Sequence, residues 1–200
     1  MGIFYTNITL KGARQQEVVD YLKRAQCQAY VSPATNDCIV VFDRVSDEDS
    51  VALRKLASNL SKEFQCPALA ALVHDGDLFL YWLYKAGRLV DEYDSMPTYF
   101  QTDAEPAPPK GGNPKALCEA FRAQHALSDL QAIFKRATKA VLDDDWSEEH
   151  LIGDEIHDVI AQALGLPLFV VDTGFYSIQN DSLPEDLTKE SLIYLFSAPP

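Results

Sequence analysis

Basic side chains are nearly missing from one long stretch of this 200-residue chain: between Val141 and Glu190 the only Lys or Arg is Lys189. Cysteine is sparse as well. Cys27, Cys38, Cys66 and Cys118 are scattered with no C-x-x-C pair, so they read as reduced, largely buried thiols and not as a disulfide framework or a zinc motif. No segment approaches the roughly 18 to 20 consecutive apolar residues of a membrane span. Residues Met1 to Ile8 lack the basic and uninterrupted apolar regions of a signal peptide. The expectation is a soluble, cytoplasmic protein without a membrane partner. G-x-S-x-G, Walker, G-x-G-x-x-G and H-E-x-x-H motifs are absent, as is any internal repeat, so no common catalytic signature is available.

What the base-poor stretch does contain is acid: Asp143, Asp144, Asp145, Glu148, Glu149, Asp154, Glu155, Asp158, Asp172, Asp181, Glu185, Asp186 and Glu190. These thirteen carboxylates against one lysine account for nearly the whole formal charge of −13. Charge so concentrated calls for a regional explanation: a cationic partner, a metal, or solvation of exposed helices. It argues against nucleic acid, whose phosphates are bound through Lys and Arg.

Hydrophobic residues make up 47% of the chain, ample for a packed core. Ile3 to Leu10 is rich in β-branched and aromatic residues and predicts a strand. Residues 17–25 carry Val18, Tyr21, Leu22 and Ala25 at helical spacing, and 28–31 and 38–42 form a hairpin pattern around a turn at Ser32-Pro33-Ala34-Thr35-Asn36-Asp37. Ser46 ahead of Asp47, Glu48 and Asp49 reads as a helix cap, followed by a stripe of Leu53, Leu56, Ala57, Leu60 and Phe64. Pro67 ends that helix and a buried strand follows. Asp75-Gly76 and Ala86-Gly87 then punctuate a meander whose strand Leu78 to Tyr84 is apolar on both alternating sets, so both of its faces need cover. The order β-α-β-β-α-β-β-β predicts an α+β fold with a ferredoxin-like core extended by an antiparallel meander.

Residues 1–100 thus form a sheet region, 101–113 has Pro/Gly linker composition, and 114–200 is mainly helical and acidic. Helices are expected from Pro114, from Ser128 through Val141, and from Ser147 to Gly165. Short strands are expected at 168–171, 175–178 and 192–196. The helical half is the natural cover for the two-faced strand, which would join both halves in one body.

Four constellations carry possible chemistry. His150, Asp154 and His157, with Asp158 beside them, have i, i+4, i+7 spacing and donors suited to a divalent transition metal. Taking Ile152, Ile156, Val159, Ile160 and Ala163 as the apolar side, a helical wheel turns these residues away from the core and towards water. Asp143, Asp144, Asp145, Glu148 and Glu149 offer hard oxygens, but without EF-hand spacing; the default reading is a polar turn between helices, and the alternative is a partner surface. Tyr81, Trp82, Tyr84, Tyr93, Tyr99 and Phe100 suit a pocket or a partner surface, with an ordinary core as the default. His74, Asp75 and Asp77 suggest a dyad, which the alternation of a strand would break. Cys66 and Cys118 have no recognisable base.

The run Leu78 to Ser95 resembles a segment of uncharacterised bacterial proteins of this size, as does Ala163-Leu164-Gly165-Leu166-Pro167 followed by Thr173 to Tyr176. The resemblance implies a bacterial cytosolic setting and no activity. The expected function is therefore a non-catalytic protein-binding module, immunity- or inhibitor-like, whose acidic surface docks on a basic protein. The alternatives are a divalent-metal-dependent hydrolase and a small-ligand-binding regulatory domain built on the aromatic meander.

Overall fold

Strand and helix periods alternate along the first hundred residues, and the chain builds its elements where they do. The computed structural model describes residues 2–47, 49–105, 107–142 and 151–196, with backbone alone for 138–142. The elements are β1 (Tyr5–Lys11), α1 (Gln15–Arg24), β2 (Ala29–Val31), β3 (Cys38–Asp43), α2 (Ser50–Phe64), β4 (Pro67–His74), β5 (Leu78–Lys85) and β6 (Arg88–Asp94). After them come β7 (Lys110–Gly111), α3 (Pro114–Phe121), α4 (Leu127–Leu142), α5 (Gly153–Leu164), α6 (Phe175–Gln179) and β8 (Ile193–Leu195). The fold is α+β: among the described residues there are one eight-stranded antiparallel sheet, in the order β7-β6-β5-β4-β1-β3-β2-β8, and six helices. Among the described residues no helix is long and apolar enough to cross a membrane.

The two apolar sets of β5 are covered from opposite sides. Trp82 and Tyr84 join Leu53, Ala57 and Leu60 of α2 and Val18 and Leu22 of α1 in one buried cluster. Phe79, Tyr81 and Leu83 join Leu117, Phe121, Leu130, Ile156, Ile160 and Phe175 in another. Residues from both halves of the chain therefore share a core. Each buried Leu or Phe in it contributes about 1.5–3 kcal/mol by removal from water.

Tight turns set the register of the meander. Asp75 and Gly76 both have positive φ, 54° and 79°, between β4 and β5, the geometry of a hairpin turn matched to strand twist. Within the linker-like stretch, Lys110–Gly111 pairs with Tyr93 and Asp94 at the edge of the sheet.

Three local expectations are corrected. Asp49, and not Ser46, caps α2: its Oδ1 accepts from the amides of Val51 at 2.7 Å and Ala52 at 3.2 Å. Ser46 is instead buried, its amide and hydroxyl both donating to Asp43. Residues 168–170 form a 3-10 turn in which Phe169 and Val170 are buried, and the Asn7 side-chain amide donates to the Val170 carbonyl. The segment 175–178 is helical, with Phe175 and Ile178 buried one turn apart and the Asp47 carboxylate accepting from the Tyr176 amide at its N-terminus. The start expected at Ser147 lies outside the described residues; the described helix opens at Gly153, and Gly165 closes it in a left-handed conformation.

Candidate functional site

Three of the proposed metal ligands, Asp154, His157 and Asp158, lie on α5. His150 lies outside the described residues. His157 is 1% exposed, which corrects its outward placement on the wheel. The buried positions of α5 are Gly153, Ile156, His157, Ile160, Ala161 and Leu164, a regular stripe. A wheel centred on bulky aliphatics counts Ile152, Val159 and Ala163, which are only partly covered or exposed, and leaves out the Gly, His and Ala that face the sheet.

The His157 ring stacks on Phe79 at 4.9 Å and on Tyr5 at 5.7 Å between centroids, and its Nδ1 shares a 2.8 Å hydrogen bond with the Tyr5 hydroxyl. Burial lowers its pKa to about 3, keeping it neutral, and burial likewise raises the Tyr5 phenol far above its ordinary value. Asp158 accepts from Gln162 and Asp154 from the Glu155 amide. Among the described residues no group of three or more His, Cys, Asp or Glu side chains is arranged to hold a metal.

The aromatic meander is mostly core. Tyr81, Trp82, Tyr84 and Tyr93 are buried, with the Tyr81 hydroxyl donating to Asp91 at 2.6 Å. Tyr99 and Phe100 are different, because they leave the sheet and reach the β4–β5 turn. There His74 meets Phe4 at 5.5 Å, Tyr99 at 5.7 Å and Phe100 at 5.2 Å, each edge-on, and Tyr99 meets Phe100 at 5.0 Å. Phe100 is 72% exposed and Phe4 43%. The Gly76 amide donates to the Ile3 carbonyl, which brings the N-terminal segment to the turn.

Carboxylates surround this cluster. Asp75 and Asp77 are exposed on the turn. His74 Nε2 lies 3.7 Å from Asp75 Oδ2, so the expected divergence of the two residues fails because positive φ at Asp75 ends the strand alternation. Burial, followed by the charges of Asp75 and Asp77, raises the Tyr99 phenol. The Asp154 amide donates to the Gly76 carbonyl at 3.0 Å, placing the acidic first turn of α5 on the same turn. A Cβ on Gly153 would meet the Asp77 carbonyl carbon at 2.6 Å, so only glycine allows this approach. Burial, then repulsion from Asp154 and Asp158, raises the Asp172 carboxyl. Asp143, Asp144, Asp145, Glu148 and Glu149, expected as a polar turn or a partner surface, lie outside the described residues.

Sequence reading places Tyr99 and Phe100 in one constellation and His74, Asp75 and Asp77 in another, and it misses Phe4 and the joining of the two, although a signal was present. Segments 2–10, 72–84, 91–109 and 141–188 contain no Lys or Arg, and the cluster and the acids around it are drawn from them.

A cleft of about 640 Å³ lies between the end of α1 and α2 and is lined by Tyr21, Cys27, Asp43, Lys55 and Asn59 among others. Burial, then the Asp43 charge, pushes the Cys27 thiol up to about 11, which is unsuited to a thiolate nucleophile. No family model, curated protein or solved structure matches the chain.

Proposed function

We propose that this protein is a non-catalytic protein-binding module, immunity- or inhibitor-like, that docks a basic protein on the aromatic and acidic surface at the β4–β5 turn. The observation that carries the reading is the exposure of Phe4 and Phe100 beside Asp75, Asp77 and the first turn of α5, in segments devoid of Lys and Arg. Exposed aromatics supply anchors and a rim of one sign steers an oppositely charged partner. The sequence adds Asp143, Asp144, Asp145, Glu148 and Glu149 immediately ahead of α5. In the same reading β1 to β4 with α1 and α2 form a ferredoxin-like core, supported by the strand order β4-β1-β3-β2. The four free thiols fit a cytoplasmic setting.

The test compares native-lysate capture by the wild type and by the variant Asp75→Asn/Asp77→Asn/Asp154→Asn/Asp158→Asn, then measures association of the purified partner against salt. A basic protein retained by the wild type alone, associating more slowly as salt rises, is expected. Equal retention by both baits, or salt-independent association, overturns the reading.

A further inference from the structure

Exposed phenylalanine has no polar tip to satisfy, so Phe100 gains nothing from water and leaves an aromatic face open. Phe4, His74, Tyr99 and Phe100 are in ring-to-ring contact, which makes a continuous patch and not scattered exposure. Asp75 and Asp77 stand exposed on the same turn, and Asp75 lies 3.7 Å from the His74 ring nitrogen of the cluster. A ligand group suited to both features is flat, cationic and able to pair with a carboxylate through two parallel N–H donors. A guanidinium has all three properties, whereas an ammonium is a compact, strongly hydrated point charge.

We propose that the Phe4–His74–Tyr99–Phe100 cluster is an arginine-selective anchor site, stacking a partner's guanidinium on an exposed aromatic face while Asp75 or Asp77 pairs with its edge. This rests on the docking surface of the preceding section and names the side chain that the surface selects. Stacking supplies the preference for arginine; the surrounding acids attract any cation.

The experiment measures fluorescence anisotropy of labelled hexa-arginine and hexa-lysine peptides with the full chain at several salt concentrations. Hexa-arginine binds about fivefold tighter than hexa-lysine to the wild type, as expected for a cation over an exposed ring. Phe4→Ala/Phe100→Ala brings the two peptides to within about twofold while keeping the salt dependence, because exposed cation–π contacts are weak and local. Asp75→Asn/Asp77→Asn weakens both peptides. Thermal melts of both variants establish that they are folded. Equal, salt-dependent binding of the two peptides by the wild type overturns the arginine anchor and leaves the acidic docking surface standing. An arginine preference that survives Phe4→Ala/Phe100→Ala also overturns it. Binding of neither peptide counts against both readings.

Discussion

The two faces of the sheet are held by different physics. On one, α1 and α2 present regular apolar stripes, and Leu53, Ala57 and Leu60 sit under them fully buried. On the other, the helices also bury apolar residues, but their position is tied by polar contacts between residues far apart in sequence. Tyr5 meets His157 across 152 residues, Asn7 Nδ2 donates to the carbonyls of Val170 and Thr173, and Asp47 accepts from Thr6 and Tyr176. Apolar stripes tolerate small slips, whereas a buried hydrogen bond fixes direction and is costly to leave unmade. The irregular segment after α5 has little periodicity to place it, and these contacts define where it lies.

The comparison breaks first, and with the largest effect, on the stripe side. Leu60→Ala is expected to cost about 2–5 kcal/mol through lost burial and the remaining cavity. Urea unfolding should show a lower midpoint with unchanged slope, since the stripe belongs to the cooperative core. A change in slope, or a variant that loses only α1 and α2, would contradict that assignment.

Legibility in the sequence follows the same division. The stripe of α2, the two-faced β5, the Asp75-Gly76 turn and the Gly165 stop depend on side-chain period and backbone sterics, which act over a few residues. The 3-10 turn at Leu168–Val170 and the helix at Phe175–Gln179 depend on Asn7 and Asp47, which no local pattern connects to them. His157 was misplaced for a related reason: its face is apolar only when Gly153 and Ala161 are counted, and the partners that bury it, Tyr5 and Phe79, come from the other end of the chain. The candidate site was legible only in pieces, Tyr99 and Phe100 in one constellation and His74, Asp75 and Asp77 in another, since no motif joins Phe4, His74 and Phe100.

The polar side is probed next through pH. Burial holds folded His157 at about 3 against an ordinary 6.5. Below pH 6.5 the unfolded chain takes up a proton that the folded chain refuses. The stability from its neutral burial is therefore whole above pH 6.5 and is lost as pH falls towards 3, by about 1.4 kcal/mol per pH unit at the steepest. Asp43, Asp47 and Asp172, raised chiefly by burial, act in the opposite sense: their contribution is fullest in acid and is lost as pH rises through their folded pKa values. The difference between wild type and His157→Gln isolates the histidine, because these carboxylates are common to both. Denaturant titrations should show wild type losing stability relative to the variant between pH 6.5 and 3; a constant difference would contradict a neutral, buried ring.

The smallest effect gives the sharpest comparison, because it separates satisfied from unsatisfied polar groups on one face. Tyr81 and Tyr93 stack at 5.7 Å, yet the Tyr81 hydroxyl donates to Asp91 while the buried Tyr93 hydroxyl has no partner among the described residues. Tyr81→Phe removes a hydrogen bond to a carboxylate and should cost about 1–2 kcal/mol. Tyr93→Phe keeps the ring contacts with Phe79 and Phe134 and removes only a desolvated hydroxyl, so it should be neutral or stabilising by up to about 1 kcal/mol. Thermal and denaturant unfolding of both variants measure the sign directly. Equal losses would mean that hydrogen bonding does not distinguish the two phenols, and that the polar contacts on this face place the chain without stabilising it.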